Sequence, residues 1–72
     1  MKNLKKLRTA RNITQIGLQM STGIDQSLLS KYENGERTPT TQNLVALADF
    51  FDTSTDYLLE RVDRKEPYPR KT

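Results

Sequence analysis

The chain has 72 residues, 33% apolar and 29% charged, and its 12 lysines and arginines outweigh nine acids to give a formal net charge of +3. That length holds one domain with a single modest core, and no apolar run approaches the roughly 20 residues that cross a bilayer. Neither cysteine nor histidine occurs. Their absence removes disulfides, thiolate nucleophiles and the commonest metal ligand and general base, so no enzyme activity, metal or cofactor is expected. Met1 is followed by lysines rather than an apolar leader, and the expected location is the cytoplasm.

The periodic signals along the chain are all helical. Leu4, Leu7 and Ala10 mark a short amphipathic helix over roughly residues 2–11. Thr14 reads as an N-cap for a second helix, with Ile16, Leu18 and Met20 as its apolar positions and Gly23 placed to end it at positive φ. Gly17 weakens that helix by about 0.5–1 kcal/mol relative to alanine. Asp25 caps a third helix, and Ile24 and Leu29 stand at the spacing of a hydrophobic staple. This helix runs to about Asn34 with Leu28, Leu29 and Tyr32 on its apolar face, and Gly35 follows.

Thr38 before Pro39 is pushed out of the helical region, so residues 34–40 read as a loop. Thr40 or Thr41 then caps a fourth helix, in which Leu44, Leu47, Ala48 and Phe51 form the clearest helical stripe of the chain. Ser54 opens a short fifth helix carrying Tyr57, Leu58 and Leu59. From Arg61 the chain is charged and aperiodic through Pro67-Tyr68-Pro69, and residues 61–72 are expected to form an unpacked tail. The charge is unevenly placed. Residues 1–12 carry five cations (Lys2, Lys5, Lys6, Arg8, Arg11) and no acid, whereas residues 41–60 carry four acids (Asp49, Asp52, Asp56, Glu60) and no base. Such a polarised surface can present a positive face to a polyanion despite its low total, although basic ends also read simply as solvated.

Only Gly23, Ile24 and Asp25 separate the second and third helices, the short glycine-containing link of a helix-turn-helix. The ordered set Thr14-Gln15-x-x-Leu18, Gly23-Ile24, Leu29-Ser30-x-Tyr32-Glu33-Asn34-Gly35, Arg37-x-Pro39, Leu44-x-x-Leu47-Ala48 and Tyr57-Leu58-Leu59 resembles the helix-turn-helix domain of phage Cro and repressor proteins and their xenobiotic-response-element relatives. The resemblance spans residues 2–60. It implies an all-α, five-helix, lambda-repressor-like domain over residues 1–60 and a transcriptional regulator, chiefly a repressor, that binds double-stranded DNA. Two positions depart from the family pattern: Gln19 stands where a small alanine is common, and Gly17 where an acid is common.

In a helix-turn-helix the second helix of the pair enters the major groove and its N-terminal residues face the base edges. Gln26 and Ser30 share one face of the third helix, as do Ser27 and Lys31. Glutamine can bond adenine at two points, serine can bond several bases or a phosphate, and lysine can reach guanine or the backbone. Taken alone these four also read as a solvated helix face. Gln15 opens the second helix, where free amides point towards a phosphate, and the resemblance implies that it touches the DNA backbone and braces Gln26. It likewise assigns Asn34, Arg37 and Thr38 to a loop along the phosphates, with Thr40 at the next helix start, and pairs Arg8 with Glu33 as a structural ion pair.

One such domain reads about half a turn of DNA, so a two-fold homodimer on a palindromic operator is expected, formed in solution or only on DNA. Tyr57, Leu58 and Leu59 are the candidate dimer surface, with core packing the alternative for Leu58. No small-molecule ligand and no membrane partner are expected. Two other readings remain open: an antitoxin or restriction-controller protein within the same family, and a protein-interaction adaptor whose third helix binds another protein.

Overall fold

The computed structural model describes residues 1–66 as five helices: α1 Lys2–Ala10, α2 Gln15–Thr22, α3 Gln26–Glu33, α4 Thr41–Phe50 and α5 Thr55–Leu58. Among the described residues there is no strand, and no helix is long and apolar enough to cross a membrane. The helix starts follow from local chemistry. The side chains of Thr14, Asp25, Thr40 and Ser54 accept from the amides of Gly17, Ser27, Asn43 and Tyr57, so each of α2 to α5 begins where an oxygen can take up a free N–H. Of the two threonines that could open α4, Thr40 is the cap.

Four helices end on one pattern. Asn12, Gly35, Asp52 and Glu60 all have positive φ, and the next residue's amide reaches back five residues, as in Ile13 N–H to Arg8 O at 3.1 Å and Arg61 N–H to Asp56 O at 2.8 Å. These are Schellman closures, which satisfy the last free carbonyls of a helix. Glycine marks only one of the four. At Glu60 the conformation is held by a further bond, because its Oε1 accepts from the Lys2 amide at 2.7 Å and ties the end of α5 to the start of α1.

The core is built from Leu4, Leu18, Ile24, Leu29, Tyr32, Leu47, Ala48, Phe51 and Leu58, with at least one member from every helix. Ile24 in the turn and Leu29 one turn into α3 are both buried, so the short link and the helix after it are pinned to one cluster. Leu44 of the α4 stripe is half-buried, and Leu47, Ala48 and Phe51 are buried.

The apolar face expected of α2 is corrected. Leu18 is buried, but Ile16 and Met20 are 63% and 80% exposed. Positions 16 and 20 lie one turn apart on one side of a helix, whereas position 18 lies on the opposite side, so the three residues cannot share a buried stripe. Gly17 is crowded instead of open: a Cβ there would stand 3.2 Å from Thr14 Oγ1, the oxygen that caps α2, and 3.3 Å from Ile13 Cγ2.

Residues 61–66 are exposed, yet the Thr53 hydroxyl donates to the Lys65 carbonyl and draws this stretch towards the end of α4. The exposed Arg64–Glu66 pair, 3.8 Å apart, adds little. The expectation for residues 67–72, including Pro67-Tyr68-Pro69, lies outside the described residues.

The corrected α2 face sets two substitutions apart. Leu18→Ala is expected to destabilise the domain by about 2–5 kcal/mol through the cavity it leaves, and Met20→Ala by no more than about 0.5 kcal/mol. Urea midpoints of the two variants measure the difference, and equal midpoints would return Met20 to the core.

Candidate nucleic-acid interface

A continuous chain of polar contacts links α1, α2 and α3. Arg8 donates from Nε to Glu33 Oε2 at 2.7 Å and from Nη2 to Glu33 Oε1 at 3.0 Å, and its remaining Nη1 reaches the Ile13 carbonyl at 2.8 Å. Gln15 Nε2 donates to the same Glu33 Oε1 at 3.1 Å, and Gln15 Oε1 in turn accepts from Gln26 Nε2 at 2.8 Å. The side chains of Arg8 and Glu33 are 12% and 2% exposed, so this ion pair lies largely out of water.

The order of those contacts fixes which way each amide points. A carboxylate without a proton can only accept, so Glu33 draws the NH₂ end of Gln15 towards itself and leaves the Gln15 oxygen facing α3. That oxygen then draws the NH₂ end of Gln26. The Gln26 Oε1 and second N–H take no part in these contacts, and such an acceptor and donor pair can bond adenine at N6 and N7.

The electrostatics agree with this geometry. Burial pulls the Glu33 carboxyl upward, but hydrogen bonds from Arg8 and Gln15 and the charges of Arg8 and Lys5 together hold it below the ordinary glutamate value. The hydrogen bond to Glu33 raises the Arg8 guanidinium, against the opposing effect of its own burial.

Ser27 and Lys31 are exposed one turn apart on α3, and Ser30 is half-buried. Asn34, Arg37, Thr38 and Thr40 are exposed on the connection from α3 to α4. The Thr40 hydroxyl oxygen already accepts from the Asn43 amide at 3.1 Å. The relay therefore joins Arg8, Glu33, Gln15 and Gln26, and the loop residues stand apart from it.

Leu58 is withdrawn from the candidate dimer surface. It is fully buried among the core residues, whereas Tyr57 and Leu59 remain half-buried. Arg11, counted in the basic first helix, is exposed but tied to α4: its guanidinium donates to the carbonyls of Phe50 and Phe51 at 3.2 and 3.0 Å and lies 5.9 and 5.1 Å from their ring centres. It thus neutralises the C-terminal end of α4. Lys2, Lys5 and Lys6 line a shallow cleft with Thr9, Glu33 and Asn34.

Two positioning contacts have only faint traces in the sequence. Gln19 Oε1 accepts from the backbone amide of Gln26 at 2.7 Å, and Asn43 Nδ2 donates to the Tyr32 hydroxyl at 3.0 Å to fasten α4 to α3. The four-residue spacing of Gln15 and Gln19, which puts both amides on one face of α2, was the available signal for the first.

The helix-turn-helix family model matches residues 4–58. The chain is 38% identical over 71 residues to the HTH-type transcriptional regulator AnsR of Bacillus subtilis, covering 94% of this chain and 61% of that protein. It is 41% identical over 58 residues to the cryptic phage CTXphi transcriptional repressor RstR of Vibrio cholerae, covering 81% and 52%. It is also 34% identical over 56 residues to the HTH-type transcriptional activator BcrR of Enterococcus faecalis, covering 78% and 28%. The chain thus spans 61% or less of the length of each of these relatives. No solved structure matches it significantly.

The buried pair separates Arg8 from its neighbouring cation. Arg8→Ala leaves Glu33 charged and without its main partner and is expected to cost about 3 kcal/mol or more, whereas Lys5→Ala on the exposed face costs no more than about 0.5 kcal/mol. Thermal midpoints of the two variants test this, and equal values reject it.

Glu33 also shapes the acid limb of stability. Because its folded-state pKa lies below the unfolded value of about 4.3, its contribution is complete above that value and is lost as pH falls through the lower, folded one. Glu33→Gln should therefore be less stable than the parent at pH 7 and show a shallower decline between about pH 5 and 2. Parallel declines in urea titrations across that range would show that Glu33 is not a source of the acid sensitivity.

Proposed function

We propose, from the premise that this chain belongs to the Cro/C1-type helix-turn-helix family, that it is a sequence-specific transcriptional regulator without catalytic activity, binding double-stranded DNA in the cytoplasm. Residues 1–60 form the DNA-binding domain in this reading, and residues 61–72 a charged tail. The observation that carries it is Gln26 at the start of α3, its amide nitrogen held by Gln15 and its position flanked by exposed Ser27 and Lys31. An incidental solvated face has no reason to hold one amide by a chain of part-buried contacts running back to α1.

Helix α3 lies in the major groove in this reading, with Gln26, Ser27, Ser30 and Lys31 towards base edges. Gln15, Asn34, Arg37, Thr38 and Thr40 meet phosphates and set the register. Arg37 and Lys31 supply exposed positive charge beside them, and the N-termini of α2 and α4 add partial charge of the same sign.

Two copies on a palindrome would place their α3 helices about one turn, roughly 34 Å, apart. The half-buried Tyr57 and Leu59, with exposed Val62 three residues further on, form the proposed contact between copies. Repression is the proposed outcome, supported by the similarity to the phage repressor RstR.

Selection of bound sites from random duplex DNA tests the reading, the expected result being an enriched two-fold symmetric sequence. On that sequence Gln26→Ala should relax preference at one base pair per half-site by about 1–3 kcal/mol, and Arg37→Ala should weaken all duplexes alike and lower the salt slope by about one unit. Anisotropy titrations in which neither variant differs from the parent would remove α3 from the groove.

A further inference from the structure

The proposed reading leaves one well-made contact without a role. Gln19 is half-buried on α2, and its Oε1 accepts from the backbone N–H of Gln26 at 2.7 Å. Alanine, the residue this position commonly carries in the resembling family, has no acceptor to offer. The Gln26 amide is the first of α3 and so lacks a partner within the helix. Asp25 already satisfies the next amide, accepting from Ser27 N–H at 2.9 Å.

We infer that Gln19 is a positioning residue for base reading: with Gln15 it grips Gln26 at both main chain and side chain, and so fixes where the Gln26 amide meets its base. This inference rests on the reading of α3 as the element that enters the groove. Gln15 and Gln19 are one turn apart on the same face of α2, and each turns its oxygen towards residue 26. The Gln15 contact alone orients the end of a side chain with three rotatable bonds. The Gln19 contact fixes the root of that side chain by tying its backbone nitrogen to α2.

Together the two contacts hold the first turn of α3 and its leading side chain as one body. A Gln26 held at both ends pays less ordering cost on meeting a correct base and adapts less readily to a wrong one. Gln19 therefore acts on discrimination at the Gln26 position and not on general attraction to DNA.

Two substitutions separate this role from packing. Gln19→Met keeps the length and volume of the side chain but has no comparable acceptor; Gln19→Glu keeps the acceptor and places a negative charge at the N-terminus of α3, where the helix dipole favours it. The probes are a duplex carrying the sequence selected by the parent chain and single-base variants of it, titrated by anisotropy after circular dichroism shows folded protein.

Gln19→Met is expected to reduce discrimination at the base pair that Gln26→Ala relaxes by about threefold to tenfold, the worth of one hydrogen bond, and to leave the other positions and the salt slope unchanged. Gln19→Glu is expected to bind every duplex more weakly through its charge and to retain the parent's discrimination at that base pair. Full discrimination in Gln19→Met, or its loss in Gln19→Glu, overturns the inference while leaving the groove assignment of α3 intact. A parent chain that enriches no sequence from the random pool overturns both.

Discussion

The Glu33 carboxylate is the group on which the rest of the structure turns. It sits at the last residue of α3 with 2% of its side chain exposed, an arrangement that is unfavourable for a charge unless it is fully partnered. Three donor contacts from Arg8 and Gln15 supply those partners and bring α1, α2 and α3 to one point. Arg8 carries the constraint further, since its third contact, to the Ile13 carbonyl, fixes the link into α2. A buried pair of this kind gives little net stability over an apolar replacement. Its physical value here is directional: an acceptor-only group at one end of a row of amides determines the orientation of every amide after it, out to Gln26.

Much of the architecture is legible in the sequence because caps and stripes are local. Thr14, Asp25, Thr40 and Ser54 each take a free amide in the first turn of a helix, which needs only a short polar side chain at the right position. The α4 stripe is visible for a similar reason, since residues at a helical period face one side whatever they pack against. The helix ends are less legible. Asn12, Asp52 and Glu60 adopt left-handed backbone without being glycine, and for Glu60 the reason lies 58 residues away, at the Lys2 amide.

The α2 apolar positions depart from a buried stripe on the same principle that makes α4 clear. Apolar residues at positions 16, 18 and 20 repeat with a period of two, which a helix cannot bring to one face, and in a helix of eight residues only Leu18 meets the core. At the proposed interface, family resemblance implies the residue types of the relay, and the hydrogen bonds give its direction. Gln19 was visible only as a departure from the family pattern. Its contact with the Gln26 backbone depends on the angle between α2 and α3, which no spacing along the chain encodes.

The uneven charge acquires a structural explanation from the same contacts. Of the five cations in the first twelve residues, Arg8 is committed to Glu33 and Arg11 to the carbonyls ending α4, so the basic run is not a uniform attractive surface. Of the acids that follow, Glu60 is engaged through its bond to the Lys2 amide. Arg8 and Glu33 neutralise each other within the fold, so that pair contributes less to the outer field than its two charges suggest. The exposed cations of α3 and the loop after it are Lys31, in the last turn of the helix, and Arg37, which stand beside the exposed acids Asp25 and Glu36. A low net charge is compatible with attraction to a polyanion when the charges that remain outside the internal pairs fall on one side of the helix-turn-helix.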